Sequence, residues 1–338
     1  MGTRRFFVCL LVSIGALALT ACTGGGATPS HGGGPPGGGG SSGNITEYAL
    51  APNSVPYPIA LGSDGNIWFG ELILSNVGAM TPSGSVTLHN IPGAQEFQGM
   101  GLGPDGNVWF TSINDNVIGK VTPAGTVTTY PVGGISPLPA GITSGPDGNV
   151  WFSSLNGFIA KSTTGGVITK YTFKSPDSLT PSSNGIVAGP DGNLWFTDAN
   201  GYIGKITTGG TIVEYPIPTA NGSPWGIAVG PDGNLWFTES QSSKIGKITT
   251  SGAVTEYSLK VPNGITTSNP QGIAAGPDGN LWFAEYTANR IGKITTGGTI
   301  SEYLIPTPTA GAAFIVKGSD GNMWFSEFNA SQIAKISP

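Results

Sequence analysis

The chain has 338 residues and a formal net charge of −5, with 56 Gly, 27 Pro and only 10% charged residues. So few charges exclude a disordered polyelectrolyte and a Lys/Glu-rich helical bundle, since soluble domains usually carry about 25%. Eight Trp, nine Tyr and fourteen Phe supply a core, and turn residues set among Val, Ile, Thr and aromatics predict an all-β protein with many tight turns.

Taken from the start, Arg4 and Arg5 precede a 14-residue apolar stretch, Phe6 to Leu19, which is too short to span a bilayer and reads as the core of a signal peptide. Leu19-Thr20-Ala21-Cys22 has the order of a bacterial lipobox, so residues 1–21 are expected to be removed and Cys22 to carry lipid. With Cys9 discarded and Cys22 lipidated, no Cys remains for a disulfide or a Cys-based metal site. The expected address is extracytoplasmic, anchored to a membrane through the Cys22 lipid. Residues 23–43 contain eleven Gly and form a flexible tether with a reach of roughly 25 Å; with Cys22 they make a segment 22–43 ahead of a domain at 44–338.

That domain is repetitive. Asp-Gly-Asn recurs seven times, from Asp64, Asp105, Asp147, Asp191, Asp232, Asp278 and Asp320, at spacings of 41 to 46 residues. An apolar residue and Trp-Phe follow each copy. In the unit at 224–257, Pro224 to Gly230 is a strand A, Pro231-Asp232-Gly233-Asn234 a turn, and Leu235 to Glu239 a strand B, apolar on both sides. Lys244 to Thr249 is strand C, Thr250-Ser251-Gly252 a second turn, and Ala253 to Tyr257 strand D. Four short antiparallel strands per unit predict a seven-bladed β-propeller. The chain ends on a strand C, at Gln332 to Ile336, and the domain begins on a lone strand D, Ile45-Thr46-Glu47-Tyr48. The N-terminal strand is therefore expected to complete the last blade and remove the open edges.

Repetition sorts the charges. The seven turn Asp residues and the strand D residues Glu47, Glu214, Glu256 and Glu302 recur with the fold and read as structural, each Asp capping its own turn. The Lys of Ile-Gly-Lys, present as Lys120, Lys161, Lys205, Lys247, Lys293 and Lys335, reads as a solvated structural charge. The uniform A–B and C–D turns share one face. Variable residues fall on the other, just before Gly-Ile of strand A: Gln98, Ala140, Asn184, Trp225 and Gln271. The ends of strand B, Glu71, Ser112, Ser154, Asp198, Glu239, Glu285 and Glu327, are expected to open there too, and their five carboxylates suggest a site for a divalent cation or a cationic ligand. Trp225, the one Trp outside the repeat register, is a candidate for stacking a ligand.

Pro-x-Gly-Ile, Gly-Pro-Asp-Gly-Asn-Leu-Trp-Phe-Thr-Glu, Ile-Gly-Lys-Ile-Thr and Thr-Glu-Tyr-Pro-Ile-Pro resemble the streptogramin B lyase (virginiamycin B lyase) family across all seven blades. The resemblance implies a Mg²⁺-dependent lyase that opens the ester of a cyclic depsipeptide by elimination. It implies a catalytic His before Gly-Ile in a Glu-Pro-His-Gly motif, a second His before the Gly-Ile of the preceding blade, and a Glu at the end of the following strand B that holds Mg²⁺ with the motif Glu. Here the motif reads Asn269-Pro270-Gln271-Gly272, the preceding blade offers Trp225, and only Glu285 agrees. Elimination needs a base that titrates; Gln cannot, and the domain's single His, His89, aligns with Tyr215 of strand D, on the outer rim.

The leading expectation is thus a monomeric, surface-anchored, non-catalytic propeller that binds a small molecule or protein on its loop face, through Trp225, Gln271, Gln98 and Asn184. The alternative is a lyase-like or lactone-opening enzyme using carboxylates such as Glu239 and Glu285, with a bound metal. Nucleic acid is not expected, because the chain without residues 1–21 has 12 basic and 19 acidic residues.

Overall fold

The computed structural model describes residues 44–92 and 94–338. The lipobox Cys22, the signal peptide and the Gly-rich tether lie outside the described residues. Seven four-stranded antiparallel sheets form the blades of a propeller: blades I to VI span 56–90, 97–131, 139–172, 186–216, 224–258 and 270–304. Blade VII takes strands A, B and C from Ala312–Lys317, Met323–Glu327 and Gln332–Ile336, and strand D from Ile45–Ala49. The register of that closing pair runs from Ile45↔Ile336 to Ala49↔Gln332, so the two ends of the domain share one sheet, as the leftover strands imply.

The repeat maps onto packing. Strand B is buried at every position in all seven blades, because it is sandwiched between neighbouring sheets. Its Trp is stacked by the strand D aromatic of the same blade, Trp236 on Tyr257 at 5.6 Å between centroids for instance. In blade I, His89 takes the Tyr place and stacks on Trp68 at 5.4 Å, which puts the domain's only His on the outer side of a blade.

The turn Asp caps its own backbone as expected: Asn234 N donates to Asp232 Oδ1 at 3.2 Å. It also accepts the indole N–H of the Trp four residues on, at 3.0 Å in blade V, a second duty that the spacing of Asp and Trp carries. The strand C Lys residues are structural charges that stay partly open to water, and they also bridge the blades. Lys120 bonds to Asp105 at 2.9 Å and to the Thr164 carbonyl of the next blade at 2.9 Å, with its ammonium 5.2 Å from the centre of the Trp109 ring. Lys161 and Lys335 reach carbonyls of the following blade in the same way. The charge is a clamp between blades.

Strands D run from the turn face to the loop face, so residue 44 and Pro338 both lie on the turn face, opposite the mouth.

Candidate functional site at the mouth of the ring

The innermost strand A of six blades is interrupted by a bulge at the residue before Gly-Ile or its equivalent. A bulge re-aims a side chain, and at Gln98 and Trp225 it turns the variable residue toward the axis. The bulge leaves an N–H without a ladder partner, and a strand B hydroxyl supplies one. Gly226 N donates to Thr238 Oγ1 at 2.9 Å, and that hydroxyl donates on to the Gln271 carbonyl of the next blade at 2.7 Å. Thr111, Ser153 and Thr197 make the same relay to Ala140, Asn184 and Trp225. Hydroxyls thus tie blades II to VI in a chain around the mouth. Gly is required in this position because a Cβ on Gly226 would collide with the Gln271 carbonyl.

The axial cavity has a volume of about 170 Å³ and is lined at the mouth by Gln98, Asn184, Trp225 and Phe314 and below by a ring of Ile side chains. Gln98, Asn184 and Trp225 line it as expected. Gln271 does not: it is only 9% exposed, and its contact with the neighbouring blade is through its carbonyl. Beside Trp225 stands an aromatic cluster that the repeat pattern does not announce. Phe314 meets Trp225 edge-on at 5.3 Å and Tyr57 at 4.7 Å; Phe328 lies 5.7 Å from Tyr57 and 6.1 Å from Tyr286. Tyr57 and Phe314 come from the two blades that lack the Gly of this pattern, as Tyr57-Pro58-Ile59 and Ala313-Phe314-Ile315; that break was the available signal. The Tyr57 hydroxyl is fully enclosed and has no hydrogen-bond partner among the described residues. Burial first, and Tyr286 second, push its ionisation far above the ordinary phenol range.

The carboxylates at the ends of strand B do not open into the mouth, contrary to expectation. Glu71, Asp198, Glu239, Glu285 and Glu327 are each 0–1% exposed. Strand alternation points them to the lateral face of the blade, under the loops, and not to the axis. Ser54 caps Glu71 at 2.5 Å, Ser175 caps Asp198, and Ser242 caps Glu239 at 2.7 Å. Ser112 and Ser154 are buried too, bonded to the Gln95 and Pro137 carbonyls. Burial is the largest reason that Glu239 rises to about 7 and Glu285 and Glu327 to about 8; nearby Glu256, Glu302 and Glu47 add to it. Lys244 at 2.8 Å and Thr219 outweigh the burial of Glu256 and hold it low.

Mg²⁺ does not fit this constellation. Glu285 is buried away from the axis and favours its protonated form near neutrality, and Asn269 and Trp225 offer no second carboxylate or imidazole beside it. Among the described residues, no three His, Cys, Asp or Glu are grouped to hold a metal ion.

This fold and this mouth define a class, and the comparisons agree with it. Residues 37–181 and 159–338 match the virginiamycin B lyase family, and the chain belongs to that family. It is similar to a solved streptogramin B lyase at 37% identity and a TM-score of 0.81, over 87% of this chain and 97% of that one. Virginiamycin B lyase from Staphylococcus aureus is 34% identical with a TM-score of 0.81, over 87% of this chain and 99% of that one. A catalytically inactive His→Ala variant of that enzyme with quinupristin gives 34% identity and a TM-score of 0.80, over 87% and 99% of the two chains. No match is found among curated proteins.

Proposed function

We propose that the chain is a non-catalytic binding member of its family, held at a membrane through a lipid on Cys22, with its loop face presented to a ligand. One observation carries the reading: the positions that the family resemblance assigns to imidazoles hold Gln271 and Trp225, and the domain's single His is stacked on Trp68 on the outer side of blade I. That the substitution of a His inactivates a relative 34% identical to this chain supports the same conclusion. The mouth offers aromatic rings and neutral amides, with no free charge among its lining residues. Such a surface favours a neutral ligand with a flat apolar group and amide or hydroxyl partners. Entry of the chain on the face opposite the mouth suits display of the site away from an anchor.

The alternative, ester elimination by a carboxylate, draws on Glu239, which rises to about 7 and so lies near the value of an efficient base. Its side chain is enclosed, and Gly222 packs directly over it. A base in that place has no path to a substrate at the axis.

A fluorescence screen of neutral aromatic amides tests the binding reading, because Trp225 is the one Trp that is not fully buried. A hit is expected to shift emission, and Trp225→Phe and Phe314→Ala are expected to abolish or weaken it at least tenfold. A hit whose affinity survives both changes contradicts a site at the mouth. For the anchor, Cys22→Ser is expected to move the protein from washed membranes to the soluble fraction; retention on membranes contradicts lipidation.

A further inference from the structure

The domain holds five Asn-Gly pairs, at Asn156, Asn184, Asn200, Asn221 and Asn263, and seven Asp-Gly pairs in its A–B turns. An Asn before Gly is a point of chemical weakness, because Gly without a Cβ lets its backbone nitrogen swing onto the side-chain amide carbon. Attack needs that nitrogen to be free. Where the Gly N–H already donates a hydrogen bond, it neither turns nor gives up its proton until the segment opens.

The fold engages this N–H at every pair but one. Each Gly of the Asp-Gly turns donates to the carbonyl of the Gly three residues before it, as Gly233 N does to Gly230 at 3.0 Å. Gly157 N donates to the Pro181 carbonyl, Gly201 N to that of Asp198 and Gly222 N to that of Thr219. Gly185 N donates to Thr197 Oγ1 at 2.9 Å. The side-chain amides of Asn156 and Asn200 are tied as well, to the Ser136 and Thr180 carbonyls.

Asn263-Gly264 has none of this. Neither Gly264 N nor the Asn263 amide has a hydrogen-bond partner among the described residues. It is the one Asn-Gly pair with both residues exposed, and the space beside the Gly264 Cα is open. The pair forms the corner of a turn from Pro262 to Ile265, with Gly264 at φ +91°. A single long bond closes that turn, from Ile265 N to the Pro262 carbonyl at 3.4 Å. The loop joins strand D of blade V to strand A of blade VI and so lies on the mouth face. Its far end is pinned, by Thr267 Oγ1 on the Ser240 carbonyl at 3.0 Å and Ser268 N on Ser243 Oγ at 2.9 Å.

We propose that Asn263 is a self-modification site, at which the folded domain converts a side-chain amide into a carboxylate on its mouth face. Gly264 N loses its proton to solvent base and bonds to Cγ of Asn263; the Cγ–Nδ2 bond breaks and ammonia leaves. Water then opens the resulting ring at either carbonyl, which gives Asp or isoaspartate. Water is the only co-reactant. The product carries one more negative charge, and the pins at Thr267 and Ser268 keep the change of backbone within the loop.

Peptide mapping by mass spectrometry tests this on the purified full chain held at pH 8.5 and 37 °C, folded or unfolded in guanidinium. In the folded chain, Asn263 is expected to exchange amide for acid at least about tenfold faster than Asn156, Asn184, Asn200 or Asn221, and to yield isoaspartate. In guanidinium no Gly N–H is held, and that lead is expected to shrink to about threefold or less. Asn263→Gln is expected to abolish the isoaspartate formed by the folded chain. Another Asn that keeps pace with Asn263 in the folded chain overturns the proposal, as does isoaspartate that persists at the wild-type rate in Asn263→Gln. A lead that survives undiminished in guanidinium also overturns it, because the selectivity would then belong to neighbouring residues in the sequence and not to the fold.

Discussion

Gly252 shows how tightly single residues bind the blades. It lies in the C–D turn of blade V at φ +97° and packs on the ring of Tyr215 from the blade before. A side chain there meets both a left-handed backbone and an aromatic ring. Gly252→Ala is expected to cost about 2–3 kcal/mol, well above the ~1 kcal/mol a strained backbone alone tends to cost, and denaturant melts of the two proteins measure it. A change below about 0.5 kcal/mol would mean that the Tyr215 ring moves aside freely. The same pairing of a strand D aromatic with the next turn was half legible beforehand. The recurring Tyr and the recurring Thr-Gly-Gly stand out in the chain, but which turn meets which Tyr depends on how blades are rotated about the axis, and no local pattern encodes that.

At the scale of the element, the hydroxyl relay replaces the ladder where strand A bulges. Thr238 both accepts from Gly226 and donates to Gln271, and it is fully buried. Thr238→Val keeps the shape and strands an N–H and a carbonyl, so it is expected to destabilise by about 1–3 kcal/mol. It is also expected to loosen the Trp225 and Gln271 strands, which a mouth ligand would report as weaker binding. Full stability in Thr238→Val would show that the bulge is satisfied without the hydroxyl. The strands themselves were readable almost to the residue: strand B of blade V was expected at 235–239 and is Leu235–Glu239. The direction of the strand-end acids was not. Glu239 and Glu285 close their strands beside the mouth, and only the twist and pleat of the blade turn them sideways under the loops, where burial changes their chemistry. Tyr57 and Phe314 were missed for a related reason. Phe314 lines the mouth and Tyr57 packs behind it, in the two blades where the Gly of Gly-Ile is missing, so what repeats along the chain does not point to them.

For the whole molecule, two sets of acids pull stability in opposite directions. Burial alone would raise the turn Asp residues, but the Trp indole, the Asn of the turn and the Lys clamp hold Asp105, Asp147, Asp191, Asp232, Asp278 and Asp320 low, Asp320 at about 2. Their contribution is present above about pH 4 and is lost as pH falls toward 2. These groups are only partly buried, so each is worth a fraction of what a buried pair would be. Glu214, Glu239, Glu285 and Glu327 are raised to about 7 or 8, chiefly by burial. Their folded forms keep protons that the unfolded chain gives up, so stability falls as pH rises from about 4.5 to 8. The melting temperature is therefore expected to peak near pH 4–5, below the pH 5–8 range common for proteins. A maximum at pH 7 or above would mean that these carboxyls are ionised in the folded ring.

The fold and family leave one question that decides what the molecule does: whether a ring with the lyase architecture but Gln271 and Trp225 at its mouth opens a streptogramin. General-base assistance is worth roughly 10²–10⁴-fold, and an absent metal ligand adds to the loss. The direct measurement is opening of a streptogramin B ester by the purified chain with Mg²⁺ at neutral pH, followed by mass spectrometry against a buffer control. No opening above the control is expected. Turnover at a rate comparable to that of a dedicated lyase would contradict it, and would require that an enclosed carboxyl such as Glu239 or Glu285 reaches the substrate after all.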